Sequence, residues 1–365
     1  MTISQALKPF VDSNALAGAV ALVASPSRVL GVETVGYADR AAKVAMRPDH
    51  LFWIASTSKP LTATALMMLV DAGSVDVEAP VSKYLPEYAG QMLATEQTPE
   101  RVVLRKPASE ITVRQVLNHT SGLPFMSRLE NGRIDSMSLR EACISYSMSP
   151  LGFEPGSQYA YSNAGTNTAG RIIEVVSGIS YEEFMLQRLL RPLGMVDTTF
   201  RPSPEQLMRL AKAYKPNEAG TDLVEIPIGQ LTTPYSDPRR GPSPAGGYFS
   251  TVSDLEKFGR MLLSGGTLDG KRYLSAKSLA QMTSKQTGAL ESSYGFCWGV
   301  DAATGNFGHG GALSNDFHID VKNQLVLILM VQHAGFGGPD GAKVNPAFKA
   351  AAVETYARHS RAAGT

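Results

Sequence analysis

Residues 325–331, LVLILMV, are apolar at every position. A strand made of them has no polar side to turn to water, so it must run through the middle of a sheet with cover on both faces. Residues 317–321 form a second strand-like run, set off from the first by Lys322-Asn323-Gln324, a hairpin signal. The other end of the chain repeats the arrangement, with strand-like runs at 18–24 and 28–36 flanking Ser25-Pro26-Ser27. A lone two-stranded hairpin is marginal in water, so the two pairs are expected to join into one sheet. Everything between them then becomes an insertion.

That middle reads as helices and long loops. Residues 60–72 are helical in composition and stop at Gly73, and residues 163–177 stop at Gly178. Ser180 with Glu183, and Ser253 with Glu256, fit capping boxes ahead of further helices. Pro and Gly cluster at 150–156 and 234–247, where ordered loops are expected. Ile3, Leu7, Phe10 and Val11 mark a first helix, and Asn345-Pro346 opens a closing one. The expected fold class is α/β of the α+β kind, an antiparallel sheet flanked by helices with an inserted, mainly helical domain. Residues 1–60 and 240–365 make the discontinuous sheet domain and 61–239 the insertion, with an active site at the junction.

A hydrophobic fraction of 43% with 18% charged residues describes a globular chain, neither fibrous nor disordered. Formal net charge is +1 with no basic run, which removes the electrostatic footprint of nucleic acid or an acidic membrane. Residues 15–24, ALAGAVALVA, have the composition of a signal-peptide core, but Asp12 and Asn14 precede them and a helical face already runs through 3–11. A helix followed by a buried strand fits better, and a cytoplasmic location is expected. No apolar stretch reaches the roughly 18 residues that span a bilayer. Cys143 and Cys297 are expected to be separate thiols in a reducing compartment.

Three short motifs carry chemistry. In Ser56-Thr57-Ser58-Lys59, helical spacing puts serine and lysine on one face. A partly desolvated lysine loses affinity for its proton and becomes a base for an otherwise weak hydroxyl nucleophile. The same residues also fit a helix cap beside a solvated lysine. In Tyr161-Ser162-Asn163, a phenol next to an ammonium is expected to ionise below its usual pKa and act as a second base. Asn163 can hold the lysine and a substrate amide together. The alternative is a core tyrosine followed by a capping asparagine. In His309-Gly310-Gly311-Ala312, two glycines let a strand edge approach a ligand, and the Ala312 N–H can complete an oxyanion hole with that of Ser56. Otherwise it is a glycine-rich bend.

Taken in order, WIASTSKP at 53–60, YSNAG at 161–165 and GHGGA at 308–312 resemble the serine β-lactamase-like family, meaning class C β-lactamases, penicillin-binding peptidases and their esterase relatives. LNHTSGLP at 117–124, FEPGSQYAYSN at 153–163 and GGYFSTVSDLEKFGRMLLSGG at 246–266 extend the resemblance over about residues 10–335. It implies a β-lactamase/DD-peptidase-like fold with Ser56 as nucleophile and Lys59 as its proton acceptor or pKa partner. It further implies Tyr161 as the base for leaving group or water, Asn163 as a substrate contact, and the N–H groups of Ser56 and Ala312 as oxyanion donors.

No Gly-x-Ser-x-Gly elbow, His-Glu-x-x-His spacing or dinucleotide fingerprint is present, so the expectation is acyl transfer through Ser56 without metal or cofactor. His309 stands where the resemblance leads one to expect lysine in members acting on β-lactams. A neutral imidazole is a poorer partner for a substrate carboxylate, which favours a carboxylesterase acting on small esters. Lowering the pH towards 6 is expected to charge His309 in part. The other readings are a β-lactamase or D-amino-acid peptidase, an acyltransferase, and a catalytically silent binding protein. The partner in each case is a small ester or amide; oligomeric state leaves no mark in the sequence.

Overall fold

In the computed structural model, which describes residues 1–361, the strand Gly18–Ala24 (β1) is buried along its whole length. It turns through 25–28 into Val29–Asp39 (β2), which pairs in turn with Val44–Ala45 (β3). From the far end of the chain come Gly299–Val300 (β4), Phe307–Gly310 (β5), Asp316–Asp320 (β6) and Leu325–Met330 (β7). These seven form one antiparallel sheet in the order β4-β5-β6-β7-β1-β2-β3, closed at its centre by β7 against β1 with Leu22 opposite Ile328. The segment with a signal-peptide composition is thus the middle of the sheet.

Period-two alternation sends the two sides of β1 and β7 into different cores. Ala19, Ala21, Val23, Leu327 and Leu329 meet helix α1 (Ile3–Asp12) and the closing helix α6 (Val344–Arg361) through Ile3, Leu7 and Phe348. Val20, Leu22, Val326 and Ile328 face helix α5 (Val252–Leu263), whose Gly259 sits so close that a Cβ there would stand 2.4 Å from Val326 Cγ1. A truncation such as Ile328→Ala at this wholly buried position would cost about 2–5 kcal/mol.

The same apolar cluster continues from the sheet through Phe258 and Trp298 into the middle of the chain. There it takes in Leu61 and Leu66 of α2 (Ser58–Asp71), Ala142 of α3 (Leu139–Ser147) and Ile172 of α4 (Asn163–Ser177). Helix α4 ends where expected, at Gly178 in the left-handed region with φ 74°.

Two expectations need correction. The cap of α5 is Thr251, whose side chain accepts the Asp254 N–H; Ser253 lies inside the helix, because the chain is already helical at Val252. The middle of the chain also carries two short antiparallel ribbons, Leu93–Gln97 with Val102–Arg105 and Ala213–Pro216 with Leu223–Ile226, which composition does not flag. A third short pairing, Phe52–Trp53 with Phe249–Ser250, fixes the entry to α2 against the loop at 240–247.

Candidate active site

Residues 51–60 are buried except Ser56, which opens partly to solvent from the turn Ala55–Thr57 just ahead of α2. The residue before it, Ala55, has φ 45°, a left-handed conformation that costs a non-glycine residue energy. The helix itself starts at Ser58, and Thr57 makes no side-chain cap, so Ser56 is not spent on capping. Trp53 Nε1 donates to the Gly246 carbonyl at 2.7 Å and Ile54 N to the Tyr248 carbonyl at 3.0 Å, which bind the loop to this turn.

Lys59, one helical turn on, is wholly buried. Its Nζ lies 3.2 Å from Ser56 Oγ and donates to Asn163 Oδ1 and the Ala245 carbonyl, each at 2.7 Å. Burial pushes its pKa down to about 7. A neutral amine has two N–H groups and one lone pair. The two short bonds go to acceptors that cannot donate back, so in the neutral form the lone pair is left for the Ser56 hydroxyl.

Asn163 does not cap α4. Ser162 does, accepting the Gly165 N–H at 3.0 Å while donating to the Pro124 carbonyl at 2.6 Å, and this leaves the Asn163 side chain free for Lys59. Asn167, one turn along the same face, accepts the Ala245 N–H at 3.0 Å and so sets the carbonyl that holds Lys59.

Tyr161 places its ring 4.7 Å from Lys59 Nζ, with the ring of Phe125 stacked at 6.3 Å. The expected acidic phenol is not found. Burial pushes Tyr161 above its usual value, with the Ser56 hydrogen bond pulling weakly the other way. Desolvation of the phenolate outweighs any help from Lys59, so Tyr161 keeps its proton at neutral pH.

His309 lies on β5 with its ring partly buried. Its Nδ1 is 2.7 Å from the Gly310 carbonyl, which can only accept, so Nδ1 carries the proton. Nε2 then faces the hydroxyls of Tyr294 at 3.0 Å and Tyr161 at 3.4 Å. Burial, with the Lys59 charge adding to it, pushes His309 down to about 3. This corrects the expectation of partial charging near pH 6.

Beyond β5, a Cβ on Gly311 would lie 2.6 Å from the Ile54 carbonyl and 2.5 Å from Asn315 Oδ1. Only glycine allows that approach. Asn315 accepts from Thr57 Oγ1 at 2.8 Å and from Gly311 N through its carbonyl at 3.0 Å, joining the Ser56 turn to the strand end that carries the exposed Ala312. The structure therefore brings Ser56, Lys59, Tyr161, Asn163 and His309 together, with Gly310, Gly311 and Ala312 on the adjoining strand end.

Sequence reasoning passes over Tyr294, Asn315, Asn167 and His119. His119 is buried at φ 62° within LNHTSGLP, with its Nδ1 accepting the Ser162 N–H at 3.3 Å and its ring 4.6 Å from that of Tyr161. Of these, Asn167 has a sequence signal in its spacing of four from Asn163, and His119 in its place within LNHTSGLP. Cys143 and Cys297 are separate buried thiols, and among the described residues no group of three or more His, Cys, Asp or Glu gathers as a metal site.

Comparison with known proteins identifies the family. The family model described as Beta-lactamase matches residues 3–351. The chain belongs to that family. Among relatives of this β-lactamase-family protein, penicillin-binding protein 4 of Amycolatopsis lactamdurans is 30% identical over 77% of this chain and 71% of its own. Esterase EstB of Burkholderia gladioli is 29% identical over 66% of this chain and 64% of its own. The solved structure of EstCE1, a hydrolase with promiscuous acyltransferase activity, superposes with a TM-score of 0.80 at 22% identity, covering 96% of this chain and 97% of that one. The family member described here thus has a serine hydrolase fold over nearly its whole length. Among its described residues no helix is long and apolar enough to cross a membrane.

Proposed function

We propose that the protein is a carboxylesterase-like serine hydrolase that forms an acyl-enzyme on Ser56. The observation that carries this reading is the neutral imidazole of His309, held by the Gly310 carbonyl and the Tyr294 hydroxyl and 3.4 Å from the hydroxyl of Tyr161. An uncharged group there favours a neutral ester over a substrate with a carboxylate beside the scissile bond. The likeness to an esterase supports the same choice.

In this mechanism Ser56 Oγ attacks the ester carbonyl and its proton passes to the free amine of Lys59. The oxyanion that forms is met by the N–H groups of Ser56 and Ala312. Tyr161, protonated at the start, gives its proton to the departing alkoxide, and the ester C–O bond breaks. In the second half a water gives its proton to Tyr161 and attacks the acyl-enzyme. Ser56 Oγ then leaves and recovers the proton held on Lys59, so the cycle closes with no net change in the protein.

A second reading, hydrolysis of D-amino-acid peptides or β-lactams, draws on the 30% identity to a penicillin-binding protein. We propose a cytoplasmic location, supported by the two separate buried thiols. The test is a panel of p-nitrophenyl esters, a chromogenic cephalosporin and D-alanyl amides, with fluorophosphonate labelling read by mass. Ester turnover and a label on Ser56, both lost in Ser56→Ala, are expected. Preferential cleavage of the cephalosporin or the amides selects the second reading, and a folded Ser56→Ala protein that still turns over esters defeats both.

A further inference from the structure

Tyr294 has no part in the mechanism above, yet its hydroxyl makes the shortest contact to His309 Nε2, at 3.0 Å. It is buried and held in place by rings, 4.9 Å from His119 and 5.5 Å from Tyr159. With Nδ1 protonated towards the Gly310 carbonyl, His309 Nε2 offers one in-plane lone pair. One lone pair accepts one good hydrogen bond. Tyr294 takes it, and Tyr161, at 3.4 Å, stands at the edge of hydrogen-bonding range.

We infer that Tyr294 is a positioning residue: by occupying His309 Nε2 it keeps the Tyr161 proton off the imidazole and available to the leaving group. The inference rests on the esterase reading and on Tyr161 as the acid in it. Without the Tyr294 hydroxyl, Tyr161 is the remaining side-chain donor within reach of this partly buried imidazole nitrogen, and its O–H turns away from Ser56. A shielded acceptor with its donor removed recruits the nearest O–H, so the competing bond forms and the acid is drawn away from the reaction. The aromatic packing of Tyr294 survives in Tyr294→Phe, which removes the hydroxyl alone.

The prediction depends on the leaving group. A p-nitrophenolate departs without a proton, whereas an ethoxide needs one. With the acyl group held constant, Tyr294→Phe should lower kcat/KM about tenfold or more for an ethyl ester and less than about twofold for the p-nitrophenyl ester. In a Tyr161→Phe background, adding Tyr294→Phe should change neither, because there is no proton left to misdirect. Equal losses on both esters, or a further loss in the Tyr161→Phe background, would show that Tyr294 only packs and would overturn the inference. If Tyr161→Phe shows the leaving-group dependence while Tyr294→Phe does not, the inference fails alone. If Tyr161→Phe shows none, the assignment of Tyr161 as the acid falls as well.

Discussion

Lys59 reaches Ser56 across 3.2 Å from inside the protein, with none of its own side chain open to water. The geometry separates two jobs that a lysine in this position can do. As an ammonium it would donate to all three of its neighbours. As an amine it donates to Asn163 and the Ala245 carbonyl, and accepts from the nucleophile. Burial brings the two forms into balance at about pH 7, so the enzyme should switch between them within the physiological range.

The acylation rate reports that switch. The amine is the active form, so kcat/KM for an ester should rise about tenfold per pH unit below 7 and level off above it. No second inflection from His309 is expected between pH 5 and 8, since that imidazole is held neutral down to about 3. A flat profile from pH 5.5 to 8.5 would mean that Lys59 is not the base.

Stability should carry the same signature. The ordinary lysine value is 10.5 and the folded value about 7, so between these pH values the unfolded chain binds a proton that the folded chain does not. Stability therefore rises with pH through that window, and below about 7 the cost of burying the charge is present in full. Relative to Lys59→Met, the wild-type protein should gain about 2–3 kcal/mol between pH 6 and pH 9 in urea unfolding. Comparing the pH dependence of the two proteins removes the fixed penalty of leaving Asn163 and the Ala245 carbonyl without a donor. A difference that does not change with pH would place the titration elsewhere.

Tyr161→Phe should lower kcat for alkyl esters by about 10²–10⁴, the usual range for a lost acid or base, with a smaller change in KM because the ring remains. Steady-state kinetics on one alkyl ester decides it. A loss below about threefold would leave Tyr161 a packing residue.

The sheet and the order of its end hairpins are legible in the sequence because LVLILMV admits only a central strand, and a central strand needs neighbours. Ser56 and Lys59 are legible because a spacing of three puts them within reach of each other and because their motif stands first in an order that resembles the family's. The rest depends on contacts that no local pattern encodes. The Ala245 carbonyl is a backbone group, and any residue would supply one. Tyr294 is one of 13 tyrosines, and only the fold brings its hydroxyl to His309. The acidity of Tyr161 is misjudged from sequence because the sequence shows the neighbouring lysine but not the burial of the phenol, which disfavours the phenolate.

Charge at position 309 should choose the substrate. The imidazole is neutral, with Nδ1 on the Gly310 carbonyl, and its pKa of about 3 means that acidifying to pH 6 does not charge it. Any loss of ester turnover on acidification is then the protonation of Lys59, and it should fall equally on esters and cephalosporins. A permanent cation at 309 is a different matter, because a charge-assisted hydrogen bond to a substrate carboxylate is worth roughly 1.5–3 kcal/mol. His309→Lys should therefore raise kcat/KM for a cephalosporin relative to a small neutral ester, by up to about two powers of ten. His309→Gln keeps a polar side chain without the charge and should leave the ratio near its native value. Both replacements disturb the pairing with Tyr294 and Tyr161, so the comparison between them, at one pH, isolates the charge. Equal shifts in the two variants would show that the imidazole acts through its hydrogen bonds, and the preference for esters would lose its electrostatic ground.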